Sequence, residues 1–195
     1  SAVAFADYNH DGYLDFLLTG SKIDNSKISK LYRNTGTNFT EEIDLTAVSG
    51  SSIAFFDYDN DGDLDILISG SDTSNVRIAK IYRNNNGTFS HDTGISLTGA
   101  SDGAVACGDY DNDGDIDIVL TGDTNSTYIS KLYRNTGGSF SQDTGINLPG
   151  VTGGSVVFGD YDNDGYLDLL LVGYINSSTR ISKLYRNNGG SFTEN

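Results

Sequence analysis

The stretch that decides the fold is Asp109-Tyr110-Asp111-Asn112-Asp113-Gly114-Asp115-Ile116-Asp117. Its skeleton, Asp-Tyr-x-x-Asp-Gly-x-x-Asp, occurs four times, starting at Asp7, Asp57, Asp109 and Asp160. A second string, Lys-(Leu/Ile)-Tyr-Arg-Asn, starts at Lys30, Lys80, Lys131 and Lys183. The acidic string is spaced by 50, 52 and 51 residues and the basic one by 50, 51 and 52, so the two drift together. The repeating object is therefore the whole unit of about 51 residues, and repeats of this period mean a solenoid, a propeller or an array.

Each unit reads as four strands. In the second copy, Ser52 to Phe56 reads as a first strand, the acidic loop follows, and Leu64 to Ile68 reads as a second. Gly70 to Ser74 carries turn chemistry, Arg77 to Arg83 reads as a third strand, and Asn86-Gly87 is a strong hairpin signal before Thr88-Phe89-Ser90. No sustained 3.6-residue periodicity is present, so helix is not expected. Four short strands per period of about 50 residues are the mark of a propeller blade. Blades stacked face to face cover both sides of each sheet, which accounts for the unbroken apolar run Ile66-Leu67-Ile68. The expectation is an all-β chain, a β-propeller of four-stranded blades with four blades per chain. The expected blades are 1–50, 51–101, 102–152 and 153–195, the last truncated at its outer strand.

Composition excludes several functions. The 195 residues hold 27 Asp+Glu against 12 Lys+Arg, a formal net charge of −15. Such a field repels phosphate backbones, so nucleic acid is not an expected partner. Apolar runs such as Leu169-Leu170-Leu171-Val172 are too short to insert in a membrane as a helix. The single cysteine cannot form an internal disulfide, and the 21 aromatics argue against disorder despite the charge.

Seventeen of the 27 acids lie in the four nine-residue loops. Carboxylates at positions 1, 3, 5 and 9 would repel one another if left bare, and a hard cation removes that cost. Calcium takes six to eight oxygens in irregular geometry. Gly12, Gly62, Gly114 and Gly165 at position 6 allow a sharp turn. Position 7 varies between Tyr13, Asp63, Asp115 and Tyr166, as expected of a residue that offers only its backbone carbonyl. An EF-hand is excluded, because its loop needs Glu at position 12 and the residues there are Leu18, Ile68, Leu120 and Leu171. One Asp-Asn-Asp-Gly is more often a solvated turn than a site; four in register point to metal. The role expected is structural, since a catalytic ion needs convergent acid–base groups nearby and none recurs.

With these residues in place, the chain resembles the FG-GAP/VCBS repeat and is similar to the calcium-binding blades of integrin alpha-subunit propellers. The resemblance rests on Phe-x-Asp-Tyr-Asp-Asn-Asp-Gly-Asp-x-Asp, an apolar strand, and then Leu-Tyr-Arg-Asn, and it covers all four units. It implies calcium in the loop between the first and second strands of each blade, up to four ions per chain. Carried over, the side-chain ligands are Asp7, Asn9, Asp11 and Asp15; Asp57, Asp59, Asp61 and Asp65; Asp109, Asp111, Asp113 and Asp117; and Asp160, Asp162, Asp164 and Asp168. The first loop departs, with Asn9 in place of an acid and His10 in place of Asn, so its site should be the weakest.

Other candidates have plainer readings. Eight of the 12 basic residues are Lys30, Arg33, Lys80, Arg83, Lys131, Arg134, Lys183 and Arg186, in the third strands. They suit packing between blades, with Arg pairing carboxylates and Lys stems covering apolar surface, better than a repeated sugar pocket. His10 and His91 share no phase, and Cys107 takes the strand slot held by Phe5, Phe55 and Phe158. The function expected is a calcium-stabilised module for adhesion or recognition, extracellular or at the cell surface, and not an enzyme. The expected partner is a protein or a glycan. A carbohydrate-binding lectin and an engineered repeat scaffold are the alternatives. Four blades in an open array would expose the apolar faces of the first and last. A homodimer placed head to tail would close an eight-bladed ring.

Overall fold

A computed structural model describes residues 1–195. It holds fifteen strands and no helix, and so no helix able to cross a membrane. The first sheet contains β1 (Ala2–Ala6), β2 (Asp15–Ser21), β3 (Lys27–Asn34), β4 (Phe39–Phe56), β5 (Asp65–Asp72), β6 (Arg77–Asn85) and β7 (Thr88–His91), in chain order. The second contains β8 (Val105–Gly108), β9 (Asp117–Asp123), β10 (Tyr128–Thr136) and β11 (Ser139–Gln142). The third contains β12 (Thr152–Gly159), β13 (Asp168–Tyr174), β14 (Arg180–Asn187) and β15 (Phe192–Glu194). Every pairing is antiparallel, as short connections between consecutive strands require.

The seven-stranded sheet arises because β4 runs for 18 residues. Phe39 to Val48 pairs with β3, and Val48 to Phe56 pairs with β5, so one strand closes the first repeat and opens the second. The segment Glu41-Glu42-Ile43-Asp44-Leu45-Thr46-Ala47 contains no Gly or Pro and alternates polar with apolar residues, which keeps it extended. At the corresponding place later in the chain, Thr93-Gly94 and Thr144-Gly145 break the path. A second departure concerns Gly70 and Ser71, which read as turn residues yet stay in β5, paired with Ile78 and Arg77. Gly70 serves close approach instead: a Cβ there would meet the Val48 Cβ at 2.9 Å, and its φ is +155°. The hairpin at Asn86-Gly87 forms as expected, with φ of 50° and 87°.

The chain divides into two compact units. One is Ser1–Asp57 with Asp61–Ser101; the other is Tyr58–Asn60 with Asp102–Asn195. In the first unit, Tyr8, Leu17, Leu31 and Val48 pack against Ile66, Ile68 and Tyr82. In the second, Tyr110, Val119 and Leu132 pack against Val156, Leu169, Leu171 and Tyr185. Burial differs by repeat: β5 and β9 are covered on both faces, while β2 and β13 alternate between covered and open residues. The acidic loops join the first strand of each repeat to the second.

Candidate metal centre

Each acidic loop is held by its own backbone. The position-1 carboxylates Asp7, Asp57, Asp109 and Asp160 accept the N–H of position 5 at 3.1–3.2 Å and that of the position-6 glycine at 2.9–3.0 Å. The position-5 carboxylates Asp11, Asp61, Asp113 and Asp164 accept the N–H of position 7 at 3.0 Å. The backbone coils through left-handed φ at both position 4 and position 6: Asn60 and Gly62 have φ of 57° and 91°. Asn tolerates that region better than most residues, which explains Asn60, Asn112 and Asn163 at position 4. Sequence reasoning assigned position 4 no role.

Position 9 sits at the start of the second strand of each repeat, and Asp15, Asp65, Asp117 and Asp168 are buried. Their Oδ1 atoms accept the N–H of Asn34, Asn84, Asn135 and Asn187 at 2.7–2.8 Å. In the third and fourth loops the other oxygen accepts the N–H of Tyr110 and Tyr161 at 3.0 Å. Burial pushes the Asp117 carboxyl up to about 7, with the charges of Asp111 and Asp113 adding to the effect. Burial and the Asp113 charge raise Asp111 too. Asp113 is held low by the Asp115 N–H and by Arg134. Crowded carboxylates thus share one small volume, and some resist ionising without a counter-charge.

Three carboxylate clusters come close enough to hold one ion. They are Asp57, Asp59 and Asp61; Asp109, Asp111 and Asp117; and Asp160, Asp162 and Asp168, each with ligand atoms within 4.8 Å of one another. The first loop forms no such carboxylate cluster. Arg134 grips the outer oxygens of two acids, Asp111 at 2.6 Å and Asp113 at 3.0 Å. Arg186 does the same to Asp162 at 2.7 Å and Asp164 at 3.0 Å. The inner oxygens, Oδ1 of Asp111 and Oδ1 of Asp162, are buried without a hydrogen-bond partner. A buried anionic oxygen with no donor costs free energy unless a cation meets it, so the acid-rich loops fit a hard ion. In the first loop the buried atoms without a hydrogen-bond partner are the Asn9 Nδ2, a donor, at position 3 and the Asp15 Oδ2 at position 9.

Residues 7–68, 67–120 and 109–171 each match the FG-GAP-like repeat, and together they take in all four loops. The chain belongs to the FG-GAP-like repeat family. A comparison with curated proteins returned no match.

The position-7 side chains of these FG-GAP-like repeats brace the hairpin after the third strand. Asp63 and Asp115 accept the N–H of Asn86 and Gly137, both at 2.7 Å. Tyr13 lays its ring over Gly36, where an added Cβ would lie 2.8 Å from the ring, and Tyr166 does the same less tightly at Gly189. Variation at position 7 therefore reflects two ways of supporting one turn.

The Asn that ends Lys-x-Tyr-Arg-Asn has a function that its recurrence signalled and its residue type left open. Asn84 and Asn187 are fully buried, and their Nδ2 atoms donate to the Tyr8 and Tyr110 carbonyls of the preceding repeats at 2.9 and 2.6 Å. Asn135 likewise reaches the Tyr58 carbonyl, at 2.7 Å. Their Oδ1 atoms accept a hairpin glycine N–H. The Arg before it pairs with loop carboxylates of its own repeat: Arg33 with Asp11 and Arg83 with Asp61, besides the two described. Lys30 pairs with Glu41, and Lys183 with Glu194 at 2.6 Å. Cys107 is half-buried, and burial pushes its thiol up to about 12, which favours the protonated form at neutral pH.

Proposed function

We propose that this chain is a calcium-stabilised β-propeller module, non-catalytic and extracellular, that presents a rigid surface for adhesion or recognition. The observation that carries the reading is the buried, donor-free Oδ1 of Asp111 and of Asp162, each in a cluster of three carboxylates. Four antiparallel repeats of about 50 residues fit the blade assignment 1–50, 51–101, 102–152 and 153–195.

Positions 1, 3, 5 and 9 would hold the ion by their side chains and position 7 by its carbonyl, in all four loops. Calcium bound there supplies charge neutralisation and nothing more. The residues do the rest. Backbone N–H groups fix the position-1 and position-5 carboxylates, Arg134 and Arg186 hold the outer oxygens, and buried Asp117 anchors the loop to the strand. Three loops rich in carboxylate bind more tightly than the first, where Asn9 stands at position 3. Extracellular calcium, at millimolar levels, suits modules with dissociation constants of about 10⁻⁴–10⁻³ M. The Arg side chains of the third strands already pair with loop carboxylates, which disfavours a glycan pocket there.

Calorimetric titration of chelator-stripped protein with calcium tests the reading. The expected result is uptake at three sites and a weaker fourth, with a melting temperature that falls in EGTA. At a free ion concentration one hundred times Kd, each site adds about 2.7 kcal/mol to folding stability. No heat of binding, together with a melting curve indifferent to EGTA, overturns it.

A further inference from the structure

The first and last repeats each leave one apolar sheet face open, and the two faces are opposite ones. In the first repeat, Val3 is 58% and Phe5 60% exposed. In the last, Val157 is 51% and Leu170 40% exposed. Repeat register puts Val3 and Phe5 where the second repeat has Ile53 and Phe55 and the fourth has Val156 and Phe158, all of which pack in a core. It puts Leu170 where the first repeat has Leu17 and the third has Val119, both fully buried. The open face of the first repeat is thus the kind that the second and fourth bury, and the open face of the last is the kind that the first and third bury.

We propose that these two faces dock on each other between two copies of this chain, head to tail. Repeating the junction already used inside each unit supplies the contacts. That junction has three further parts, and each has one half left over at each end. Inside the units, Asn84 and Asn187 donate to the Tyr8 and Tyr110 carbonyls; the remaining members of the series are Asn34 and the Tyr161 carbonyl. His10 Nε2 lies 3.0 Å from the Gly62 carbonyl oxygen, and Asn112 Nδ2 donates to the Gly165 carbonyl at 3.0 Å; the remaining members are Asn163 and the Gly12 carbonyl. Tyr8 packs on Phe89 and Tyr110 on Phe192, with centroids 5.4 and 5.9 Å apart; the remaining rings are Tyr161 and Phe39. Tyr161 is 45% exposed where Tyr8 and Tyr110 are 2% exposed. A surface that matches its opposite and not itself associates heterologously. Two copies joined at both ends make the eight-bladed ring. The docking rests on strand packing, and holds whether or not the loops take calcium.

Light scattering on the 195-residue chain, run in calcium and again in EGTA, tests it. The expected mass is twice 20.9 kDa. Phe5→Glu and Leu170→Glu, on the two different faces, each return the mass to 20.9 kDa with an unchanged far-UV spectrum, while Ile23→Glu on a distant hairpin does not. Should the glutamates unfold the chain, Phe39→Ser and Tyr161→Ser remove only half-exposed rings and still weaken association at least tenfold. A folded wild-type monomer at about 100 μM, or a dimer broken by one face's variants and not the other's, overturns the proposal. Loss of calcium binding with the dimer intact would sink only the calcium reading.

Discussion

The first and third repeats build the same loop from different chemistry. In both, the position-1 carboxylate accepts N–H groups at 3.1 and 2.9 Å, from Asp11 and Gly12 in one and from Asp113 and Gly114 in the other. The shape survives Asn9 and His10 because backbone donors enforce it. What changes is the charge and the anchoring. Arg134 grips two acids where Arg33 grips one, and Asn135 is fully buried where Asn34 is not. Loop shape and carboxylate content are therefore separable properties, written at different positions.

The anchoring side of this comparison is expected to give the largest effect. Asn135→Ala removes donations to the Tyr58 and Ile116 carbonyls and strands the Gly138 N–H. Each buried hydrogen bond is worth about 1 kcal/mol, with a further penalty for a stranded group, so the loss should be about 3 kcal/mol. Asn34→Ala removes one donation to Leu14 and one acceptance from Gly36 at an open site, and should cost about 1 kcal/mol. Urea unfolding of the two variants, each in the monomeric Phe5→Glu background where Asn34 meets no second copy, checks this. Equal losses would mean that the contact to the preceding repeat contributes nothing.

That asymmetry also marks where reading the residues stopped. The strands, the loop positions and the absence of helix were legible, because period-2 patterning, Asn-Gly turns and registered repeats are local signals. The belonging to the FG-GAP-like repeat family was legible in the same strings. The Asn clamp was not, since its partner lies about 77 residues away and no local pattern names it. The string showed that Asn recurs; only the fold shows that it ties one repeat to the one before. The fusion of two strands into β4 was hidden for another reason. A connector is recognised by its Gly and Pro, and the segment 41–47 simply lacks them.

The charge side of the comparison gives the next effect. Asn9→Asp places a carboxylate where the first loop presents a donor, while its oxygen still accepts the Asp11 N–H. Calcium affinity in that loop should rise about tenfold, or about 1.4 kcal/mol. Asp111→Asn is the converse change: an amide oxygen can still meet Arg134, and the third loop should lose a similar factor. Titration calorimetry of the two variants reads both. If Asn9→Asp leaves affinity unchanged, position 3 does not face the ion, and the two loops differ for some other reason.

Position 7 should give the smallest effect, and it separates two kinds of support for one hairpin. Asp115 accepts the Gly137 N–H at 2.7 Å and the Asn60 amide at 2.8 Å, so its charge strengthens two bonds at once. Asp115→Asn keeps the shape, loses one acceptor and weakens the other, and should cost about 1 kcal/mol. Tyr13 meets Gly36 through its ring, so Tyr13→Phe keeps the contact and should change stability by less than about 0.5 kcal/mol. For a chain of this size 1 kcal/mol moves the melting temperature by about 2–4 °C, enough to resolve the pair. A loss on Tyr13→Phe as large as that on Asp115→Asn would show that the phenol oxygen, and not ring packing on glycine, braces the first hairpin.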